Sequence, residues 1–161
     1  MPIKVGDRLP DVKFRVMTTE GPVWKTTDEV FKGRKVALFA VPGAFTPACS
    51  QRHLPGYVDK AADLKAKGID TIACVAVNDV FVMDAWGKNQ NCGDKVMMLA
   101  DGSGELAKAL GMELDMKSRG LGVRSQRYSM LVDNGTVKSL NVEAQPGQVE
   151  ASGADAMLKS L

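Results

Sequence analysis

A cysteine, a threonine and two prolines stand at a spacing that suits a reactive thiol. Residues 42–50 read PGAFTPACS, and they follow an apolar run at residues 35–41 and precede a stretch with helical spacing. Cys49 should therefore lie in the first turn of a helix, where free backbone N–H groups and the helix dipole favour an anion. A thiol in that place ionises more readily, so the segment predicts a nucleophilic thiolate.

Thr46, Arg127 and two flanking prolines are candidates to assist this thiol. Thr46 precedes the cysteine by three residues, so its hydroxyl can point at the sulfur or at a bound oxygen, or cap the helix. Pro42 and Pro47 stiffen the approach and each removes one competing N–H group. Arg127 borders the apolar run 128–132 and carries a permanent charge on a planar fork of donors. A solvated surface charge is the alternative reading of Arg127.

The remaining cysteines and the one histidine have simpler interpretations. Cys74 lies inside the apolar run 70–77, which predicts a buried thiol, whereas Cys92 lies in a polar segment and is expected to be exposed. His53 follows Cys49 by four residues, so on a helix the two share a face. A metal site needs three or four ligands and no others cluster nearby, so we expect none. We interpret His53 as a surface residue or as a neighbour that tunes the thiolate.

The elements that must hold these residues alternate along the chain. Compact apolar runs predict buried strands, and Asn134-Gly135 between the last two is a hairpin signal. The order of elements predicts an α/β fold, with a central mixed sheet flanked by helices in one domain over residues 1–161. The predicted strands are 35–41, 70–77, 96–100, 128–132 and 137–142, and the predicted helices are 49–68, 79–89, 104–110 and 154–161.

Composition restricts the partners and the compartment. The 161 residues carry a formal net charge of +2 with no block of basic residues, which argues against nucleic acid or an anionic membrane as a partner. No apolar run is long enough to span a bilayer, and the first residues do not have the pattern of a secretory signal. Three cysteines at irregular spacing do not form a disulfide framework. We expect a cytoplasmic location.

The segment PGAFTPACS resembles the PxxxTxxC motif of the peroxiredoxins, in the form of their type II, peroxiredoxin-5-like branch. Ala48 stands where members of the family often have threonine or glycine. The resemblance implies a thioredoxin-like fold, the reduction of hydrogen peroxide or alkyl hydroperoxides, and no cofactor. It covers nearly the whole chain and includes residues 77–79, 85–86, 100–104, 120–125 and 141–143.

The same resemblance assigns roles to individual residues. Cys49 matches the peroxidatic cysteine, which becomes a sulfenic acid, and Thr46 matches the hydroxyl that contacts both thiolate and peroxide. Pro42 matches the residue that shields the site. Arg127 matches the arginine that holds the site together. In plant-like members a cysteine at the place of Cys74 is proposed to resolve the sulfenic acid. A disulfide between Cys49 and Cys74 needs Cα atoms within roughly 7 Å, so we expect it to require local unfolding.

Apolar residues around the motif also have counterparts in the family. The resemblance implies that two aromatic residues form part of a homodimer interface beside the active site. It also implies that three aliphatic residues line the apolar side of the substrate entrance. Residues 149–153 contain no cysteine, so the C-terminal resolving cysteine of some members is absent. The interface residues are Phe45 and Phe81, and the entrance residues are Leu114, Met116 and Leu121.

Three questions about function stay open at the level of sequence. A thioredoxin-like dithiol oxidoreductase would need a CxxC pair, but residue 46 is threonine. A redox sensor or holdase would use the same reactive cysteine as a peroxidase. The reductant is either glutaredoxin with glutathione or thioredoxin, and the missing C-terminal cysteine and the plant-like resemblance favour the first.

Overall fold

Three parallel strands rich in small and branched apolar residues form the centre of the main sheet. The computed structural model describes residues 2–161 and arranges seven strands in the order β2-β1-β5-β4-β3-β8-β9. β3, β4 and β5 run parallel, whereas β1, β2, β8 and β9 pair antiparallel with their neighbours. The strands of this sheet are β1 (Lys13–Thr18), β2 (Gly21–Thr26), β3 (Lys35–Ala40), β4 (Thr71–Ala76), β5 (Met97–Ala100), β8 (Tyr128–Asp133) and β9 (Thr136–Val142).

Helices cover both faces of this sheet because successive strand residues point to opposite sides. Phe39 and Cys74 belong to one buried cluster, with residues of α2, α3, α4 and α6. Their neighbours Leu38 and Val75 belong to the other, with residues of α1 and α5. The predicted mixed sheet with helices on both sides is confirmed. The helices are α1 (Thr27–Phe31), α2 (Leu54–Asp59), α3 (Ala61–Ala66), α4 (Val80–Asn89), α5 (Glu105–Leu110) and α6 (Ala154–Lys159).

The predicted hairpin between β8 and β9 is confirmed. Asn134 and Gly135 adopt positive φ angles of 51° and 83°, and Asp133 pairs with Thr136 across them. Two consecutive positive φ values suit a tight two-residue turn, in which asparagine and glycine are the least strained residues. This turn fixes the register that places Arg127 at the start of β8.

Four strands and one α-helix were not predicted from the sequence. The β1–β2 hairpin buries only Phe14, so it does not have the continuous apolar pattern of the central strands. A second sheet pairs β6 (Glu113–Asp115) with β7 (Val123–Ser125), and three-residue strands are too short to show a period. Helix α1 does have a sequence signal, because Thr26 and Glu29 form a capping box at its start.

The predicted helix over residues 49–68 is interrupted twice. Pro47 and Ala48 begin it, and a π-helical turn follows over Cys49–His53, where the Leu54 N–H bonds the Cys49 carbonyl. Pro55 has no N–H to donate to the carbonyl of residue 51, so an α-helical ladder cannot form here. The second break is at Lys60, between α2 and α3. Within residues 2–161 no helix is both long enough and apolar enough to cross a bilayer.

Candidate active site

Cys49 lies at the first residue of the π-turn, just beyond the carboxyl end of β3. Its side chain is fully buried, and Nη2 of Arg127 lies 3.0 Å from its sulfur. A guanidinium donor is more favourable to a thiolate than to a thiol, because only the anion gains the full charge–charge attraction. The sequence-based placement of this cysteine in a first helical turn is confirmed.

Arg127 is fixed by three hydrogen bonds from three different nitrogen atoms. Besides the sulfur contact, Nε donates to the Pro146 carbonyl at 2.9 Å and Nη1 contacts Nδ1 of His53 at 2.9 Å. The side chain is only 3% exposed, so the alternative of a solvated surface charge is wrong. The planar fork spreads donors in fixed directions, which lets one side chain join the π-turn to the loop after β9.

His53 lies in the core, so its interpretation as a surface residue is wrong; it is a neighbour of the thiol site through Arg127. Its Nε2 lies 3.0 Å from the Ser152 carbonyl, which can only accept, so Nε2 carries the proton and Nδ1 accepts from Arg127. Burial, and then the charge of Arg127, lower the pKa of His53 to about 3. Its ring packs against Phe39, which stacks on Tyr57 with a centroid distance of 4.0 Å. The imidazole is therefore a neutral acceptor for Arg127.

The loop of residues 143–153 supplies the carbonyl oxygens that hold this network. Glu143 organises it, since one carboxylate oxygen accepts bonds from the Glu150 N–H, the Ser152 N–H and the Ser152 hydroxyl. Burial opposes ionisation of Glu143, but the bonds from Ser152 and Glu150 outweigh it, so its pKa is lowered. The sequence signalled neither the loop nor its link to Arg127, although Glu143 ends one of the matched segments.

A pocket of about 500 Å³ lies beside the thiol. Arg127, which contacts the sulfur, lines it, whereas the fully buried Cys49 is not among the lining residues. Thr46 lines the pocket, and its hydroxyl donates to the Gly43 carbonyl at 2.7 Å, so the hydroxyl proton points away from the sulfur. The alternative role of this hydroxyl as a helix cap is not found: Thr46 directly precedes the helix start at Pro47, but its hydroxyl bonds Gly43 instead of a helix N–H. The pocket is lined by Pro42, Thr46, Pro47, Ala48, Gln51, Arg52, Met116, Arg119, Leu121, Arg127, Pro146 and Gly147.

Comparison with known proteins decides the family. The Redoxin family model matches residues 4–158. Chloroplastic peroxiredoxin-2E of Arabidopsis thaliana is 51% identical over 99% of this chain and 69% of its own length. The chain belongs to the peroxiredoxin family.

Solved structures of peroxiredoxins superimpose over the full length of the chain. Reduced Prx3 of Vibrio vulnificus in complex with hydrogen peroxide has a TM-score of 0.94 and 52% identity, with 98% of each chain covered. Peroxiredoxin 5 of Alvinella pompejana has a TM-score of 0.86 and 42% identity, covering 99% of this chain and 97% of its own. The thioredoxin-like fold and the type II branch inferred from the motif are confirmed.

The other two cysteines of this peroxiredoxin are buried. Cys74 is in the middle of β4, where burial first, and then the nearby sulfur groups of Cys49 and Cys92, raise its pKa well above the ordinary value. Cys92 is 2% exposed, so the expectation of an exposed loop thiol is wrong. Its segment folds back through a bond from the Cys92 N–H to the Gly87 carbonyl, which places the thiol in the core. Burial raises the pKa of Cys92 to about 11.

The aliphatic residues implied for the substrate entrance separate into two groups. Met116 and Leu121 line the pocket, whereas Leu114 lies on β6, pairs with Arg124 and is not among the lining residues. Arg124 donates to the carbonyls of Leu121 and Val77, so it braces the loops behind the pocket.

Phe45 and Phe81 are exposed on the protein surface, at 51% and 65%. Phe45 has a φ of 66°, a conformation uncommon outside glycine. The Ala44 N–H donates to the Asn78 side chain, which ties the loop of Phe45 to the segment that precedes α4. Within residues 2–161 no group of three or more metal-ligating side chains is assembled.

Proposed function

We propose that this peroxiredoxin, a thiol peroxidase with an antioxidant role, reduces hydroperoxides with the thiolate of Cys49. The proposal is carried by the contact of 3.0 Å between Arg127 Nη2 and Cys49 Sγ in a buried site beside an open pocket. The thiolate attacks the terminal peroxide oxygen, the O–O bond breaks and one proton is taken up. The products are Cys49 sulfenic acid and water or an alcohol.

Arg127 is the group that lowers the barrier of this step. Negative charge moves from the sulfur to the departing oxygen as the O–O bond lengthens. The guanidinium contacts the sulfur and also lines the pocket, so its donors can follow the charge to that oxygen. Its donors are held by Pro146 and His53, so they need no rearrangement when the charge moves. Donors fixed for the transition state accelerate a reaction more than donors that only bind substrate. Thr46 adds a hydroxyl oxygen at the same pocket wall, and Pro42 covers the thiol.

The reductive half of the cycle is proposed to use an external thiol. That thiol attacks the sulfenic acid, releasing water and forming a mixed disulfide, and a second thiol then restores Cys49. We propose glutaredoxin with glutathione rather than thioredoxin, because residues 149–153 contain no C-terminal resolving cysteine. Cys74 is a poor internal resolving group because burial holds it as a neutral thiol, and only the thiolate is nucleophilic.

Two further parts of the proposal concern assembly and compartment. Phe45 and Phe81 are exposed aromatic residues, and such residues often mark contact surfaces, which supports a homodimer through this face. The three cysteines of the described chain are all free, which fits a reducing compartment such as the cytoplasm.

The proposal is tested by following hydrogen peroxide consumption with glutathione and glutaredoxin. Wild type and Cys92→Ser should turn over, whereas Cys49→Ser should not, because a serine hydroxyl is barely ionised at neutral pH. Cys92→Ser serves as the matched control, since it removes a buried thiol of the same core. Turnover by Cys49→Ser would overturn the assignment of the thiol.

A further inference from the structure

The pocket beside Cys49 carries more positive charge than the chemistry at sulfur needs. Arg52, Arg119 and Arg127 all line it, and no aspartate or glutamate of the described chain does. Arg127 is committed to the thiol, whereas Arg52 and Arg119 are exposed. Within residues 2–161 neither of those two lies at salt-bridge distance from a carboxylate. Two uncompensated cations therefore stand at the mouth of the pocket.

Arg52 is held in this place by the loop after β9. Its Nη2 donates to the Gly147 carbonyl at 2.6 Å, which leaves most of its guanidinium donors free for a ligand. Gly147 follows Pro146, whose carbonyl holds Arg127, so one short segment positions both arginines. The spacing between the thiol and the outer cation is thus set by the backbone rather than by a free side chain.

The wall between these charges and the thiol is apolar. Pro42, Pro47, Met116 and Leu121 contribute side chains without hydrogen-bonding groups, and Met116 is largely buried. Hydrogen peroxide is neutral and small, so it gains nothing from such a wall or from the outer arginines. A larger hydroperoxide with an apolar body would cover the wall, and a carboxylate at its far end would meet the cations.

We infer that Arg52 and Arg119 determine specificity at this pocket, favouring hydroperoxides that carry a carboxylate over neutral ones with the same apolar body. The inference rests on the proposed function, because the peroxide group must still reach Cys49. The hydroperoxide oxygen lies between Thr46 and Arg127, the chain lies on Met116 and Leu121, and the carboxylate binds Arg52 and Arg119. The reaction at sulfur is unchanged and yields the hydroxy acid with Cys49 sulfenic acid.

The test compares the hydroperoxide of linoleic acid with the hydroperoxide of its methyl ester, which differ in the carboxylate charge. Single-turnover oxidation isolates the peroxide step from any reductant, and Trp86 reports on it because its Nε1 donates to Ser50, the residue after Cys49. Exposed charge pairs are individually weak, so we expect the acid to react about three- to tenfold faster than the ester. Added salt should reduce this ratio, because it screens exposed charges.

Variants show whether the two arginines cause the preference. Arg52→Gln combined with Arg119→Gln should bring the acid-to-ester ratio close to one, whereas Lys32→Gln removes an exposed charge far from the pocket and should keep the wild-type ratio. Equal rates for acid and ester in wild type, or an unchanged ratio in the double variant, would overturn the inference while hydrogen peroxide still oxidises Cys49. If hydrogen peroxide fails to oxidise wild type, the proposed function itself fails.

Discussion

Nη1 of Arg127 lies 2.9 Å from Nδ1 of His53, and this contact leaves the buried imidazole no room for a second proton. A protonated His53 would bring two cationic donors face to face in a site with no solvent. The ring is therefore an acceptor, and it aims the arginine at the sulfur of Cys49. His53 acts through Arg127, so it is a positioning residue.

The neutral state of His53 predicts a stability that falls in mild acid. Its pKa is about 3 in the fold and 6.5 in the unfolded chain, so below pH 6.5 the unfolded chain binds a proton that the folded chain refuses. Stability should thus be full above pH 6.5 and decline as the pH falls towards 3. Linkage gives a loss of about 2 kcal/mol between pH 7 and pH 5 from this residue. Urea unfolding at the two pH values measures it.

His53→Gln is the matched variant for that measurement, because an amide can accept from Arg127 and donate to the Ser152 carbonyl without titrating. Between pH 7 and pH 5 the free energy of unfolding should fall by about 2 kcal/mol more in wild type than in the variant. Glu143, whose pKa is lowered from 4.5, does not interfere at pH 5. An identical loss of stability in both proteins would show that His53 is not the titrating group.

Arg127→Gln should slow the attack on hydrogen peroxide by about 100-fold, the scale of removing one fixed donor from a developing charge. Arg127→Lys keeps the charge but cannot reach the sulfur, His53 and Pro146 together, so its rate should lie between those of wild type and the glutamine variant. Stopped-flow fluorescence gives the rates. Thermal unfolding of each variant shows that the folded protein is measured, and a wild-type rate in Arg127→Gln would contradict the role of the guanidinium.

Glu143→Ala should loosen the loop that holds Arg127 and Arg52. Three donors lose their acceptor, at a cost of about 1–3 kcal/mol, and the peroxide rate should fall less than in Arg127→Gln. Glu150→Ala is the control, because that residue is exposed and uses only its backbone N–H in the network. Chemical denaturation and stopped-flow rates check both effects. If both variants show the same stability and the same peroxide rate, the carboxylate of Glu143 does not hold the loop.

Cys74→Ala should leave turnover with an external thiol within about twofold of wild type, because a buried neutral thiol is a poor nucleophile. Mass spectrometry after one equivalent of peroxide, without reductant, should find no bridge between Cys49 and Cys74 in wild type. A bridge that forms as fast as the sulfenic acid decays would instead make Cys74 the resolving cysteine.

The sequence specified the frame of the site more fully than its contacts. The strands of the parallel core, the Asn134-Gly135 turn and the position of Cys49 at a helix start all follow from local patterns, and all are found in the structure. Local patterns also found Arg127 as a candidate, since a cation beside an apolar strand is unusual.

What the sequence did not specify depends on tertiary contacts. His53 has the pattern of an exposed helical residue, and it is buried only because Arg127, Ser152 and Phe39 close around it. Cys92 stands in a polar segment, yet a single backbone bond to Gly87 turns it inward. The contacts of His53 join segments that meet only after folding, so spacing along the chain does not encode them. The Cys92 bond is local and closes the end of α4, where Asn91 has a φ of 56°, but the burial of the thiol depends on the cluster that packs around it.

Hydrogen peroxide should oxidise the sulfur of Cys49 before that of Cys74 or Cys92. One equivalent of hydrogen peroxide in the presence of dimedone, followed by peptide mass spectrometry, locates the sulfenic acid directly. We expect dimedone on Cys49, with Cys74 and Cys92 unmodified, and much less label in Arg127→Gln at the same early time. Label on Cys74 or Cys92 with Cys49 unmodified would contradict this prediction.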